Sequence, residues 1–153
     1  MATTTADIKA TYPLPVYYYE VSIDGLDPIA FTEVSGLTIE YETITYKDGM
    51  SYKEGAKHMP GQPSGPVKFS LKKGVMRKDS KLLDWIDTVK LNTVEKKDVS
   101  ITLKDESDGP VVAWKASNVF PAKLEAPSFN AGSNEVAIES MDLVADSLTI
   151  EYL

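Results

Sequence analysis

The sequence predicts a mainly β fold of two packed antiparallel β-sheets, a β-sandwich or barrel, with one flanking α-helix. Most segments alternate apolar and polar residues with a period of two, whereas a single segment has helical spacing. Short turn signals separate these segments. The chain of 153 residues is long enough to bury one core, so we expect a single domain over residues 1–153.

The amino-terminal third predicts an extended arm followed by three strands. Prolines keep the arm, residues 1–15, extended. The next segment, 16–24, alternates so that Tyr17 and Tyr19 face the core and Tyr18 lies off it. Further strands are expected at 30–34 and 37–46.

The remainder predicts one helix and five strands. The helix is expected over 79–92, with Asp79 or Ser80 as its cap and a common face formed by Leu82, Leu83, Ile86, Val89 and Lys90. The strands are expected at 67–73, 99–105, 111–117, 135–146 and 147–153, with a corner at 118–121. The alternation slips between Ile138 and Met141, which predicts a β-bulge near Ser140.

The amino-acid composition and charge argue against several classes of function. The sequence has no cysteine, which excludes disulfide and thiolate chemistry, and no membrane-spanning run or signal peptide is visible, so we expect folding in the cytoplasm. The net charge of −7 argues against nucleic acid and anionic membranes as partners. Acidic ends flank a basic middle, 67–104, with five acidic against ten basic residues. These blocks are either scattered over the surface or complementary patches for self-association.

No motif for catalysis stands out. His58 is the only histidine, and it lies in a glycine-rich connection rather than on a rigid element. The acidic run at 105–108 lacks EF-hand spacing, and the glycines near Gly61 lack the Lys-Ser/Thr ending of a phosphate loop. Trp85 and Trp114 are expected in the core. We therefore expect no catalytic residues, no metal and no cofactor.

The connection from Lys47 to Pro66 is unusually long for a compact domain and offers few residues to a core. We therefore expect this connection to contact a neighbouring subunit. Open sheet edges also favour self-assembly, because unpaired edges bind other strands unless closure of a ring removes them.

Several motifs, in this order along nearly the whole chain, resemble the inner tube proteins of contractile tails. They are Phe31–Leu37, Tyr41–Ile44, Tyr46–Gly49, Met59–Gln62, Lys73–Val75, Leu82–Ile86, Asn92–Asp98, Trp114 with Asn118–Pro121, and Ala137–Glu139. The sequence is most similar to tubes of extracellular contractile injection systems of the antifeeding-prophage and virulence-cassette type. Phage tail tubes and the ring protein of type VI secretion are more distant.

The resemblance implies a structural subunit without catalysis. Six copies form a ring, and rings stack into a hollow tube that a contracting sheath drives through a target envelope. Partners would be the chain itself, the sheath protein, the baseplate and cap proteins, and protein cargo in the lumen, with no stable membrane association. Assembly would take place in the bacterial cytoplasm, and the mature location would be the phage tail-like particle.

Two sets of site residues are expected. The first contacts other subunits and lies mostly in the long connection: Tyr18, Lys47, Asp48, Met50, Tyr52, Lys53, Lys57, His58 and Met59. The second lines the lumen with the polar faces of two alternating strands: Thr38, Glu40, Glu42, Lys68, Ser70 and Lys72. The strand that contains Ser100 and Thr102 is an alternative source of this lining.

Other interpretations remain open from the sequence. The chain is alternatively a baseplate tube-initiator paralogue or a phage tail tube protein. From a different class, it is a small carbohydrate- or peptide-binding β-sandwich, or a hydrolase that uses His58.

Overall fold

A computed structural model describes residues 2, 4–6, 11–26, 28–89 and 93–153. In chain order its elements are β1 (Tyr19–Ile23), β2 (Glu33–Ser35), β3 (Tyr41–Tyr46), α1 (Ser51–Glu54), β4 (Lys57–Pro63), β5 (Val67–Gly74), α2 (Lys81–Ile86), β6 (Lys97–Lys104), β7 (Pro110–Glu125), β8 (Ile138–Ala145) and β9 (Ser147–Tyr152). The mainly β prediction is confirmed.

The strands form two antiparallel sheets that share β7. Sheet A contains β1, β6, the first half of β7 and β9, whereas sheet B contains the second half of β7, β8, β5 and β2. Among the strands that the structure describes, β3 and β4 pair only with each other. The sheets do not close into a barrel within the described strands. Of the two predicted alternatives, sandwich and barrel, the structure therefore has the open two-sheet arrangement.

The passage of β7 from one sheet to the other occurs at the predicted corner. Asn118 has a φ of 52°, a left-handed conformation that asparagine tolerates better than most residues. Its backbone N–H donates to Asp98 Oδ1 at 3.1 Å. A register shift between Pro121 and Lys123 follows, which identifies a bulge in β7. One strand thus contributes to both layers of the core.

The core lies between the two sheets and beneath α2. Val99, Leu71 and Met141 are fully buried, and α2 adds Leu82 and Trp85. Burial of each such side chain favours folding by about 1.5–3 kcal/mol. The predicted core position of Trp85 is confirmed.

The Trp85 indole N–H donates to the Glu95 carbonyl at 2.9 Å, which satisfies its only polar group. Trp114 is half-buried at the margin of the core, so it packs less deeply than expected.

Several local predictions are wrong. Tyr17 is 81% exposed because β1 starts only at Tyr19. The helix ends at Ile86 rather than extending through 92, and Leu83 and Val89 of its predicted core face are 48% and 43% exposed. Lys90 lies outside the described residues, as do residues 1, 3 and 7–10 of the predicted arm. No bulge interrupts β8 at Ser140, because β8 pairs with β5 residue by residue.

The connection 47–66 is not a loop throughout. Its first part forms the one-turn helix α1, and its second part forms β4, which pairs with β3. The sequence missed β4 because glycine and proline interrupt the alternation of KHMPGQP. Glycine suits position 61, since a Cβ there would lie 3.0 Å from the Glu42 carbonyl oxygen at a bulge.

Candidate self-assembly surfaces

The hairpin of β3 and β4 is the distal half of one long antiparallel ribbon. Its proximal half is the β2–β5 pair, in which Ser35 lies opposite Ser70. The two halves are joined by a hydrogen bond from the Ser64 N–H to the Glu40 carbonyl at 2.8 Å, next to the pair of Tyr41 and Pro63. The ribbon therefore begins in sheet B and continues beyond it.

Local hydrogen bonds order the tip of this ribbon. The carboxylate of Asp48 accepts from the Met50 N–H at 2.9 Å, and the Ser51 hydroxyl accepts from the Asp48 N–H at 2.9 Å. These bonds satisfy backbone groups at the start of α1. The tip is thus an ordered structure, which is a precondition for specific contact with a partner.

Apolar side chains of the hairpin are exposed. On one face Ile44, Tyr46 and Met59 are 50%, 50% and 44% exposed, and Tyr52 at the tip is 79% exposed. Ile44 lies opposite Met59, so these side chains share one side of the ribbon. An isolated two-stranded hairpin is only marginally stable in water. The hairpin therefore exposes apolar surface that the described part of the subunit leaves uncovered.

The predicted contact residues fall into two places. Eight of the nine lie on the hairpin or its tip, and they are Lys47, Asp48, Met50, Tyr52, Lys53, Lys57, His58 and Met59. All eight are exposed. The ninth, Tyr18, is distant in the sequence and lies beside the turn between β6 and β7, where its hydroxyl donates to Asp108 Oδ1.

Tyr18 belongs to a network of charged groups that the sequence does not reveal. Lys104 donates to Glu20 at 2.6 Å and to Asp108 at 3.2 Å, so three elements are held together. The hydrogen bonds from Tyr18 and then Lys104 lower the pKa of Asp108, and the hydrogen bond to Asp108 raises the pKa of Tyr18. This network fastens the start of β1 to the turn.

His58 does not have the surroundings of a catalytic base. Its Nδ1 lies 3.3 Å from Thr45 Oγ1 across the hairpin, and both side chains are exposed. Nucleophilic catalysis requires a base that a third group orients in a site shielded from water. An exposed cross-strand pair on a two-stranded ribbon lacks that shielding.

The outward face of sheet B is polar. It carries Lys68, Ser70 and Lys72 of the predicted lumen set, because these alternate with the buried Phe69 and Leu71 on β5. Ser70 donates to Asp142 at 2.7 Å on the neighbouring strand. A shallow hollow of about 360 Å³ lies on this face.

The other predicted lumen residues lie outside sheet B. Thr38 and Glu40 are exposed in the extended stretch between β2 and β3, and Glu42 is exposed on β3. Leu37 packs against the core, so alternation from Leu37 places these three side chains on the side away from the core. By the same alternation, Ile44 and Tyr46 follow them on this side of β3, so the polar stretch ends at Glu42.

The outward face of sheet A is polar as well, and it contains Ser100 and Thr102. Lys115 pairs with Glu151 at 2.5 Å across two strands of this face. At one end, however, this face carries Leu153, which is 60% exposed. The face of sheet B has no exposed large apolar side chain among the described residues.

Further apolar surface lies at the end of β9, where Ile150 and Tyr152 are 41% and 81% exposed. Val16 is 84% exposed beside a groove of about 490 Å³ between the two sheets, which Leu37 and Trp114 also line. Sequence alternation assigns Ile150 and Tyr152 to the core, and their exposure shows that this assignment is wrong for the end of β9. These surfaces extend the apolar area available to a neighbour.

Within the described ranges, no helix is long and apolar enough to cross a membrane. The same ranges contain no group of three histidine or acidic residues that is arranged to hold a metal ion.

Comparisons with known proteins agree on one family. The family model of the T4-like virus tail tube protein gp19 matches residues 15–149. No curated protein matches the chain in sequence.

Among solved structures, a chain of the PVC sheath–tube complex of an extracellular contractile injection system, in the extended state, is 39% identical with a TM-score of 0.91. That match covers 99% of this chain and 100% of the other. A chain of the anti-feeding prophage cap is 40% identical, with a TM-score of 0.86 and complete coverage of both chains. A chain of the anti-feeding prophage baseplate shares the fold at 22% identity and a TM-score of 0.80, covering 93% and 97%.

Proposed function

Because this chain belongs to the T4-like virus tail tube protein family and is a structural tube subunit, we propose that six copies close into a ring and that rings stack into the hollow inner tube of a contractile injection system. The observation that carries this proposal is the hairpin of β3 and β4. Its apolar side chains are exposed, and its strands pair only with each other in the subunit. A neighbouring copy supplies the missing cover.

The subunit belongs to the shaft of the tube rather than to its base. The chain is 39% identical to a chain of a sheath–tube complex and 40% identical to a chain of a tube-terminating cap. The related baseplate chain is only 22% identical. The partners are then further copies of this chain, the surrounding sheath, the cap and the baseplate.

The outward face of sheet B lines the lumen, continued by Thr38, Glu40 and Glu42 of the ribbon. A hollow tube needs a hydrophilic wall, since exposed apolar side chains retain protein that passes through it. The face of sheet B meets that need, whereas the face of sheet A ends in Leu153. Protein cargo moves through this lumen, and the subunit contributes no catalysis and no cofactor. Assembly takes place in the bacterial cytoplasm, and the tube becomes part of a particle that is released from the cell.

Electron microscopy of the purified chain tests the assembly. Deletion of Met50–Lys57 is expected to leave a folded monomer that forms no tubes, because the deleted residues contribute no fully buried side chain. The matched control is Lys72→Gln, which alters an exposed pair on sheet B and should still form tubes. Tubes formed by the deletion variant would refute the role of the hairpin, and a parent chain that stays monomeric over a range of salt and concentration would refute the function.

Thiol labelling tests the lumen. The chain has no cysteine, so Glu40→Cys, Glu42→Cys and Ser70→Cys each introduce a single thiol. In assembled tubes these thiols should react with a small maleimide and resist a conjugate too wide to enter. Equal reaction with the wide reagent would place them on the outer surface, and reaction with neither would place them in an interface.

A further inference from the structure

The outward face of sheet B carries equal numbers of opposite charges. Alternation along its four strands places six charged side chains on this face, and they are Glu33, Lys68, Lys72, Lys123, Glu125 and Asp142. Three are acidic and three are basic, although the whole chain has a net charge of −7. The excess negative charge therefore lies on other surfaces.

These charges are paired across and along the strands. Glu33 lies directly opposite Lys72, with 3.4 Å between Oε2 and Nζ. Lys123 lies 3.7 Å from Glu125 on the same side of β7. Two of the three cations are thus matched to an anion within 4 Å.

Asp142 occupies the centre of the face. It lies opposite Ser70 on β5, which donates to it at 2.7 Å, and opposite Lys123 on β7. Lys68 lies opposite Val144, one diagonal step from Asp142, a separation of about 7–8 Å in an antiparallel pair. The last cation therefore also has its anion nearby.

Pairing at these distances removes the field that a passing protein would feel. The Debye length is about 8 Å at physiological ionic strength, which exceeds the separations of 3.4 and 3.7 Å within the pairs. Beyond one Debye length each pair is a screened dipole without net charge. A wall with an excess of one sign would instead concentrate cargo of the opposite sign and repel cargo of its own sign.

We infer that this face forms a charge-compensated band of the lumen wall, which attracts polypeptide cargo of neither net charge while the cargo passes it. The inference rests on the proposed function, since it requires that the face line the lumen. Glu40 and Glu42 lie beyond the sheet on the ribbon, and Lys96 stands at the margin of the sheet, 5.7 Å from the centre of the Phe120 ring. The compensated area is accordingly the part between these margins.

The test compares two thiol reagents of similar size and opposite charge on Ser35→Cys in assembled tubes. Ser35 is exposed on the same face, opposite Ser70, and its substitution leaves all six charges in place. One methanethiosulfonate reagent carries an ammonium group and the other a sulfonate. Both rates are divided by the rates with a neutral cysteine peptide, and the expected cation-to-anion ratio is within about twofold of one.

Three variants in this background isolate the effect of pairing. Lys72→Gln leaves Glu33 unpaired in every subunit and should favour the cationic reagent on the order of tenfold. Glu33→Gln should favour the anionic reagent to a similar extent. The double variant should return the ratio to about one, which a general structural disturbance would not do.

The outcomes separate this inference from the proposed function. A parent ratio that departs from one by more than about twofold, or a double variant that keeps the imbalance of either single variant, would overturn charge compensation while tubes remain visible. A thiol that reacts in dissociated subunits but not in tubes would place the face in an interface and overturn it too. Absence of tubes would overturn the proposed function, and the inference with it.

Discussion

Lys73 is the most deeply buried charge that the structure describes, and its removal should destabilise the subunit strongly. The side chain is 2% exposed on the inner face of β5, in line with Phe69 and Leu71. Its ammonium group lies 2.7 Å from Glu139 on β8 and 3.5 Å from Asp79, just before α2. The cation thus joins the helix to the core of sheet B.

Lys73→Met should lower the free energy of unfolding, because the carboxylates of Glu139 and Asp79 lose their buried cation. Methionine retains much of the apolar stem, so the main loss is the buried charge. Removal of one partner of a buried pair costs about 3–5 kcal/mol, and the lower end applies because the side chains of Glu139 and Asp79 keep 21% and 22% of their exposure to water. We expect about 3 kcal/mol.

Urea denaturation of the Met50–Lys57 deletion variant, which is expected to stay monomeric, measures this cost when it is followed by tryptophan fluorescence. With an m-value of about 2 kcal/mol/M, the midpoint should fall by about 1.5 M. The control is Lys72→Gln on the neighbouring residue, whose pair with Glu33 is 43% and 55% exposed, so that it should cost at most about 1 kcal/mol. Equal midpoints for the two variants would refute the assignment of a structural role to the buried cation.

Three further predictions concern other positions. Asp108→Asn should destabilise the subunit at neutral pH but not in strong acid, because the folded state lowers the pKa of Asp108. The stability that this carboxylate contributes is complete above the ordinary aspartate pKa and is lost as the pH falls through the lowered value. Urea midpoints over a pH series would show this loss. Gly36→Ala should cost about 2 kcal/mol or more, because φ is 93° and the new Cβ would lie 2.9 Å from a backbone carbonyl of β5; an unchanged melting temperature would contradict this. Trp85→Phe should cost about 1–3 kcal/mol, since the Glu95 carbonyl loses its donor, whereas a neutral effect would show that water replaces the indole.

The sequence predicted the parts of the fold that depend on local pattern. Alternation identified β5 and β6 with the correct inward faces. The core position of Trp85 followed from its residue type, whereas helical spacing wrongly placed Leu83 on the core face. The same reasoning failed where glycine and proline hide a strand, as in β4, and where β1 starts later than the alternation indicates, at Tyr19. Local pattern carries no information on where a neighbouring strand stops.

The exposure of most of the expected contact residues was also predictable, because eight of the nine come from one continuous segment that offers few residues to a core. Tyr18 is different. Its position off the core face follows from alternation, but its hydrogen bond to Asp108 joins residues 90 positions apart. Such a contact depends on the folded arrangement of β1 and the turn between β6 and β7, which no local motif specifies.

The sequence by itself determined the fold class, the absence of cysteine chemistry and the tail tube family, since composition, periodicity and the order of motifs are properties of the chain alone. Only the tertiary structure decided that the segment 47–66 forms part of a long ribbon, that Lys73 is enclosed by Glu139 and Asp79, and that the charges of sheet B compensate one another. Each of these features comes from strand register or helix packing between residues that are far apart in the sequence. Such contacts stabilise the fold, but they produce no local periodicity from which they could be predicted.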